Sequence, residues 1–250
     1  RTGNRQLRGF VSGLSENGVR LKREIPTVGV VVPAAGLGRR MGAPKQFLEL
    51  AGEPILRRAV RPFLEYPGVE AVVVALPEGR AAEPPDWLTE LDERIQTVAG
   101  GPSRRDSVWG ALQLLPSDLD VIVVHDGARP LVSSAVVARC VEVAAGGMGA
   151  VAGFSAVDTL KFVDAEGMVT ETADRSRLWH AQTPQAFPGP ALIEAYRRAV
   201  QEDWAATDDA ALLERAGGRV MMVESSPGNL KITRPEDLDA AEAVLARQGR

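Results

Sequence analysis

The sequence predicts an α/β fold built on a mostly parallel sheet flanked by helices. Three observations carry this reading. Short valine-rich runs recur along the chain, they do not alternate with polar residues, and helix-period patterns lie between them. Strands buried on both faces read as near-continuous apolar runs, and strands separated by helices pair in parallel. Ligands of such sheets sit beyond the carboxyl ends of the strands.

The strands predicted in the first part of the chain are "TVGVVVP" from Thr27, "VEAVVVALP" from Val69, "RIQTVAG" from Arg94, "LDVIVVHD" from Leu119 and "GAVAGFSAV" from Gly149. Helical patterns cover residues 53–66, 104–115 and 133–145. The loops after Val32, Val98 and Val124 are therefore expected to meet in one crevice. From Asp158 the texture changes: "DTLKFVDAEGMVTETADR" has two short strand-like pieces around "DAEG", a hairpin signal. Two helices follow, "GPALIEAYRRAVQEDW" and "TDDAALLERAGG", the second with Thr207 as its expected cap. "RVMMVES" reads as a late strand. "TRPEDLDAAEAVLARQ" reads as a final helix, with Thr233 as cap, Pro235 in the first turn, and Glu236 and Asp237 at the positive end.

The totals bound the function classes. The chain has 250 residues, 45% of them hydrophobic, enough for a sizeable core. Lys plus Arg is 29 against 33 for Asp plus Glu, a formal net charge of -4, so no nucleic-acid partner is expected. Cys140 is the one cysteine; it excludes an intrachain disulfide and a cysteine-cluster metal site, and a reducing, cytoplasmic setting fits it. Its place in a helical run reads as core packing. No run of 18 apolar residues occurs, so no membrane partner is expected. Residues 1–26 carry basic residues without a long apolar run. They are expected to be a leading arm, disordered or foreign to the native chain, ahead of a single domain over residues 27–250.

The loop after the first strand, "PAAGLGRRMGAPKQF", fails two familiar fingerprints. A P-loop needs a glycine directly before its lysine and Ser or Thr after it, whereas Lys45 lies between Pro44 and Gln46. A dinucleotide loop needs a third glycine one place earlier than Gly42. A third chemistry fits better. Gly36 and Gly38 let backbone N–H groups approach a phosphate chain, and Arg39, Arg40 and Lys45 add charge beside it. Fixed cations there stabilise charge that builds on an attacked phosphorus. In "VIVVHDGARP", Asp126 ends a buried strand and is placed to hold Mg²⁺, or another divalent cation, beside phosphates. Arg129 either binds an anion or braces Asp126. The two histidines, His125 and His180, give no zinc signature. "AGGPSRRDSVWGAL" offers Gly100, Gly101 and Ser107 to a base or sugar. Arg175, Thr183, Thr207 and Lys231 suit a phosphate monoester, which takes charge plus directed hydrogen bonds.

Together these motifs resemble the 2-C-methyl-D-erythritol 4-phosphate cytidylyltransferases of the non-mevalonate isoprenoid pathway. "PAAGLGRRMGAPKQF", "HDGARP", "DTLK", "LWHAQTPQAF" and "NLKITRPEDL" occur in the family's order, between about Val28 and Leu245. The resemblance implies CMP transfer from CTP to the sugar-alcohol phosphate with release of pyrophosphate, using Mg²⁺. It implies a Rossmann-like nucleotidyltransferase fold with a protruding β-arm, residues 157–177, exchanged across a homodimer. By motif, Arg40 and Lys45 stabilise the attacked phosphate, and Lys231 acts near the same chemistry and touches the acceptor. Pro33, Ala34, Ala35, Gly36, Gly38, Gly101 and Ser107 bind the nucleotide. Asp126 holds the metal. Asp126, Arg129, Thr159, Arg175, Thr183, Thr207 and Lys231 bind the acceptor, with Thr159 and Arg175 serving the partner subunit. One acceptor hydroxyl is expected to face the α-phosphorus. Pro102 stands where many members have an acid against the base, which leaves the loop backbone to read cytosine. Alternatives are a ribitol-5-phosphate cytidylyltransferase, a sugar-1-phosphate nucleotidyltransferase and a non-catalytic nucleotide-binding regulatory domain.

Overall fold

The computed structural model describes residues 25–38 and 42–248. The expectations for Arg39, Arg40 and most of the leading arm fall outside the described residues.

The chain runs β1 (Val28–Pro33), a 3-10 turn (Lys45–Phe47), β2 (Glu49–Leu50), β3 (Glu53–Pro54), α1 (Ile55–Leu64) and β4 (Val69–Leu76). It continues through α2 (Glu78–Ala82), α3 (Asp86–Thr89), β5 (Ile95–Ala99), α4 (Arg104–Leu112), β6 (Val121–Val124), α5 (Ser134–Ala145) and β7 (Gly149–Ser155). Then follow β8 (Lys161–Val163), β9 (Val169–Thr172), a 3-10 turn (Arg175–Arg177), β10 (Trp179–Pro188), α6 (Gly189–Gln201), α7 (Asp209–Arg215), β11 (Val220–Glu224) and α8 (Glu236–Gln248).

Among the described residues the main sheet has seven strands in the order β11-β7-β10-β6-β1-β4-β5. β1 pairs in parallel with β4 and β6, β4 with β5, and β11 with β7. Only β10 runs against its neighbours, pairing antiparallel with β6 and β7. The valine runs are continuous because both faces are covered. Val28, Val30 and Val32 join one core cluster with Leu56, Phe63, Val137 and Cys140. Val31 joins another with Val108, Leu112, Leu192, Tyr196 and Leu212. Helices α1 and α5 thus cover one face, and α4, α6 and α7 the other. Burial pushes the Cys140 thiol up to about 12, as suits a packing residue.

Three local expectations change. "WHAQTPQAFP" is a ten-residue strand, although its polar residues read only as site groups. Asp208, not Thr207, caps α7: its carboxylate accepts from the Ala211 N–H. Thr233 does not cap α8; its N–H and hydroxyl donate to the Asp237 carboxylate at 2.6 and 2.8 Å. Lys231 lies in irregular chain and is held by its neighbour. Ile232 is buried against Leu50, Ile55 and Leu131, and its N–H donates to the Ala128 carbonyl at 2.8 Å. β8 and β9 form a separate two-stranded sheet whose residues are all exposed.

Candidate active site

The carboxyl ends of β1, β5 and β6 open on one cleft of about 710 Å³, where the strand-end loops were expected to meet. Its wall includes Pro33, Ala34, Ala35, Gly36 and Gly38 from the first loop, Gly101 and Ser107 from the second, and Asp126 from the third. Lys45 and Lys231 also line it. A smaller cavity of about 150 Å³ adjoins it, lined by Arg129, Thr183, Gln185 and Thr207 among others. Arg104, Asp126 and Lys231 belong to both linings and form the partition between the two chambers. Of the expected acceptor residues, Thr159 and Arg175 line neither chamber of their own chain. Both are exposed on or beside the arm.

Two features shape the first loop. Gly38 has φ +63°, and a Cβ there would stand 1.8 Å from the Ala43 carbonyl oxygen, so only glycine suits the turn. Gln46 was not anticipated. Its buried amide donates to the Ala34 and Gly36 carbonyls at 2.6 and 3.1 Å. Those carbonyls are thereby turned inward, and Lys45, next in sequence, is set on the cleft wall. In the second loop a Cβ on Gly100 would approach the Ala35 Cβ to 2.1 Å, so this glycine serves the packing of two loops rather than an open approach to ligand. Ser107 is buried; it accepts from the Gly101 N–H at 3.1 Å and donates to the Ser103 carbonyl at 2.8 Å.

Asp126 is the charged centre of the partition. Lys231 Nζ lies 2.8 Å from Oδ2, Arg129 Nε 3.4 Å from Oδ2, and Arg104 Nε 3.6 Å from Oδ1. Burial alone would raise its pKa, but Lys231, Arg104 and Arg129 outweigh burial and hold the carboxyl well below the usual range.

Behind Asp126 a closed hydrogen-bond circuit fixes the strand end. The Asp126 N–H donates to Thr183 Oγ1 at 3.0 Å, and Thr183 Oγ1 lies 3.0 Å from His125 Nδ1. His125 Nε2 is 3.0 Å from the Arg129 carbonyl. A carbonyl only accepts, so Nε2 carries the proton and Nδ1 accepts from the Thr183 hydroxyl. Thr183 lies at the edge of the smaller chamber, but its hydroxyl is engaged in this circuit. Asn229, also unanticipated, closes the back wall. Its side-chain amide donates to the Thr183 carbonyl at 2.8 Å, and its backbone carbonyl accepts from Arg129 Nη1 at 2.8 Å. Gln185 holds the far wall, donating to Asp208 Oδ2 at 2.8 Å and accepting from the Ala210 N–H at 3.0 Å. Thr207 precedes that anchor.

The circuit has a pH consequence. Full burial drives the His125 pKa from 6.5 down to about 4. The unfolded chain takes up this proton near pH 6.5 and the folded chain only near pH 4, so stability falls as pH drops through that window. The loss is about 3 kcal/mol. Thermal or denaturant midpoints measured from pH 7 to pH 4 should show this decline, and His125→Gln should flatten it. An equally steep decline in His125→Gln would assign it to other groups.

The fold and this site define a class: an α/β protein with its cleft beyond the carboxyl ends of parallel strands and a smaller chamber across a charged partition. A protein-family model described as 2-C-methyl-D-erythritol 4-phosphate cytidylyltransferase (IspD) matches residues 28–247. The cytidylyltransferase of that name from Symbiobacterium thermophilum is 42% identical over 89% of this chain and 94% of its own. That from Syntrophotalea carbinolica is 42% identical over 89% and 98%. The crystal structure of the Thermus thermophilus enzyme superimposes with a TM-score of 0.74 at 36% identity, covering 88% of this chain and 99% of the other. The 4-diphosphocytidyl-2C-methyl-D-erythritol synthase of Anaerococcus prevotii gives a TM-score of 0.80 at 25% identity, covering 89% and 97%. The chain belongs to the 2-C-methyl-D-erythritol 4-phosphate cytidylyltransferase family. No helix among the described residues is long and apolar enough to cross a membrane.

Proposed function

We propose that this chain transfers CMP from CTP to 2-C-methyl-D-erythritol 4-phosphate, giving 4-diphosphocytidyl-2-C-methyl-D-erythritol and pyrophosphate. The observation that carries the mechanism is the partition: a larger chamber beneath the glycine loop, a smaller cation-lined one beside it, and Asp126 and Lys231 shared between them. CTP occupies the larger chamber, with its triphosphate along the first loop and Lys45. The acceptor phosphate occupies the smaller one. The loop backbone around Gly101 and Pro102 reads the base.

Atom balance corrects the expected nucleophile. The product joins its two halves through a diphosphate, so the acceptor's phosphorus stays in the new linkage. The attacking atom is an oxygen of the acceptor phosphate, not a hydroxyl. That oxygen attacks the α-phosphorus, and the bond to the bridging oxygen of pyrophosphate breaks. An ionised phosphate needs no general base. The site agrees: His125 has both ring nitrogens engaged, and Asp126 is held as a carboxylate by cations. Catalysis reduces to orientation and to offsetting the repulsion of two phosphate groups.

Asp126 would be the residue to hold Mg²⁺. Mg²⁺ is commonly held by one or two carboxylates plus substrate phosphates and water, and Asp126 supplies one carboxylate at the cleft wall. When bound, the ion neutralises triphosphate charge.

The arm supports a homodimer. Val157, Phe162, Val163, Met168 and Val169 are each more than half exposed, an apolar load that a lone hairpin leaves in water. Thr159 and Arg175 then complete the partner subunit's acceptor chamber. Arg175→Ala and Lys45→Ala subunits, each inactive alone, should regain about a quarter of wild-type activity when mixed, because one site in four is intact in random dimers of equal amounts. Dimers confirmed as mixed but without activity would exclude exchange of the arm. One buried thiol suits work in the reducing cytoplasm.

A further inference from the structure

Arg104 stands at the partition with no substrate role assigned so far, and its surroundings single it out. It opens α4, where Ser103 caps the helix by accepting from the Asp106 N–H. Its two terminal nitrogens donate to Asp209 Oδ1 and Oδ2 at 2.9 and 2.7 Å. Asp209 is wholly buried and also accepts from the Tyr196 hydroxyl. The fork is thus gripped from behind, while 31% of the Arg104 side chain stays open toward the chambers. A guanidinium has five N–H groups, and this grip uses two. Nε faces Asp126 Oδ1 across 3.6 Å, beyond hydrogen-bond range.

Its neighbour points the other way. Arg105 pairs with Asp203 at 2.8 Å and donates to the Trp204 carbonyl at 3.0 Å, tying α4 to the segment before Thr207. One helix turn therefore holds Ser107 on the nucleotide side, Arg104 on the partition, and the acceptor loop. A residue serving packing alone would have its donors satisfied and its charge shut away. Arg104 instead lines both chambers while Asp209 takes only two of its donors.

We infer that Arg104 binds the acceptor's phosphate at the junction of the two chambers, and that Asp209 and Tyr196 are positioning residues that set its orientation. The inference rests on the cytidylyl-transfer reading. A planar guanidinium held by one carboxylate is pre-organised to place a phosphate oxygen, as a lysine in its place would not be. It also offsets part of the repulsion between the acceptor phosphate and the triphosphate.

The test compares the wild type, Arg104→Gln, and the double variant Arg104→Gln/Asp209→Asn. The single variant strands the Asp209 charge in the core and can fail to fold; the double variant removes both charges together. Steady-state kinetics with both substrates are read beside thermal midpoints and rescue by added guanidinium ion. In the folded double variant the acceptor KM should rise or kcat fall, with kcat/KM for acceptor down about 100-fold. The KM for CTP should stay within about twofold, and guanidinium should restore part of the loss. Near-wild-type kinetics in the double variant would make the pair purely structural and overturn the inference. A rise confined to the CTP KM would overturn it as well. A wild type that releases no pyrophosphate would instead overturn the underlying reading.

Discussion

Asp126→Asn should abolish most turnover without weakening acceptor binding. The carboxylate faces Lys231, Arg129 and Arg104, and the amide that replaces it leaves Lys231 and Arg129 without this counter-charge, while Arg104 keeps Asp209. Two effects then compete. The chamber becomes more positive and should hold a phosphate at least as well. The partition loses the anion that keeps Lys231 and Arg129 in place, and with it the carboxylate available to a divalent cation. For turnover the second effect dominates, because positioned charge at a phosphoryl centre commonly accounts for about 100-fold to 1,000-fold in rate. We expect kcat to fall roughly 1,000-fold with the acceptor KM unchanged or lowered. Stability should fall by about 1–3 kcal/mol, since the largely buried Arg129 loses its carboxylate partner while Lys231 stays part exposed. Steady-state kinetics with a parallel denaturation curve separate these effects. A raised acceptor KM with kcat intact would contradict the role given to Asp126.

Lys45→Ala should lower kcat by about 100-fold or more while leaving acceptor affinity within about twofold. Lys45 begins the 3-10 turn that Gln46 anchors, so its backbone is fixed from inside the core while its side chain lines the larger chamber. The smaller chamber does not include it. Lys45→Arg should recover only part of the rate, because a longer planar group does not reproduce an ammonium's point charge. Measurement of kcat and both KM values checks this, and unchanged turnover would remove Lys45 from the chemistry.

The sequence was most readable where both faces of a strand are buried. β1, β4 and β6 are valine-rich runs, and the carboxyl ends of β1 and β6, with that of β5, open on the cleft. β10 was hidden for the opposite reason. It is central in the sheet, yet Gln182, Thr183 and Gln185 are polar and Pro184 interrupts it. Those polar groups are tolerated because each meets a partner far along the chain: Asn229, His125 and Asp208. No local period encodes such partners. The same limit hid Gln46, whose role depends on the carbonyls of a loop ten and twelve residues earlier. It also hid the pairing of Arg104 with Asp209 across 105 positions. Caps were misplaced by one residue or reversed in direction, as at Asp208 and Thr233, because Thr and Asp compete for the same backbone donors. The charged residues named from motifs were legible as residue types; their division between two chambers was not.

The central claim is a diphosphate-forming transfer at the partition between the two chambers. Its most direct test is pyrophosphate release by the purified chain with CTP and Mg²⁺, run with 2-C-methyl-D-erythritol 4-phosphate, ribitol 5-phosphate or a sugar 1-phosphate. The product is then examined for the phosphorus–phosphorus coupling of a new diphosphate. The account predicts pyrophosphate in strict proportion to 4-diphosphocytidyl-2-C-methyl-D-erythritol, with the methylerythritol acceptor strongly preferred. Turnover of another acceptor in its place, or a product in which CMP is esterified to a hydroxyl, would contradict it.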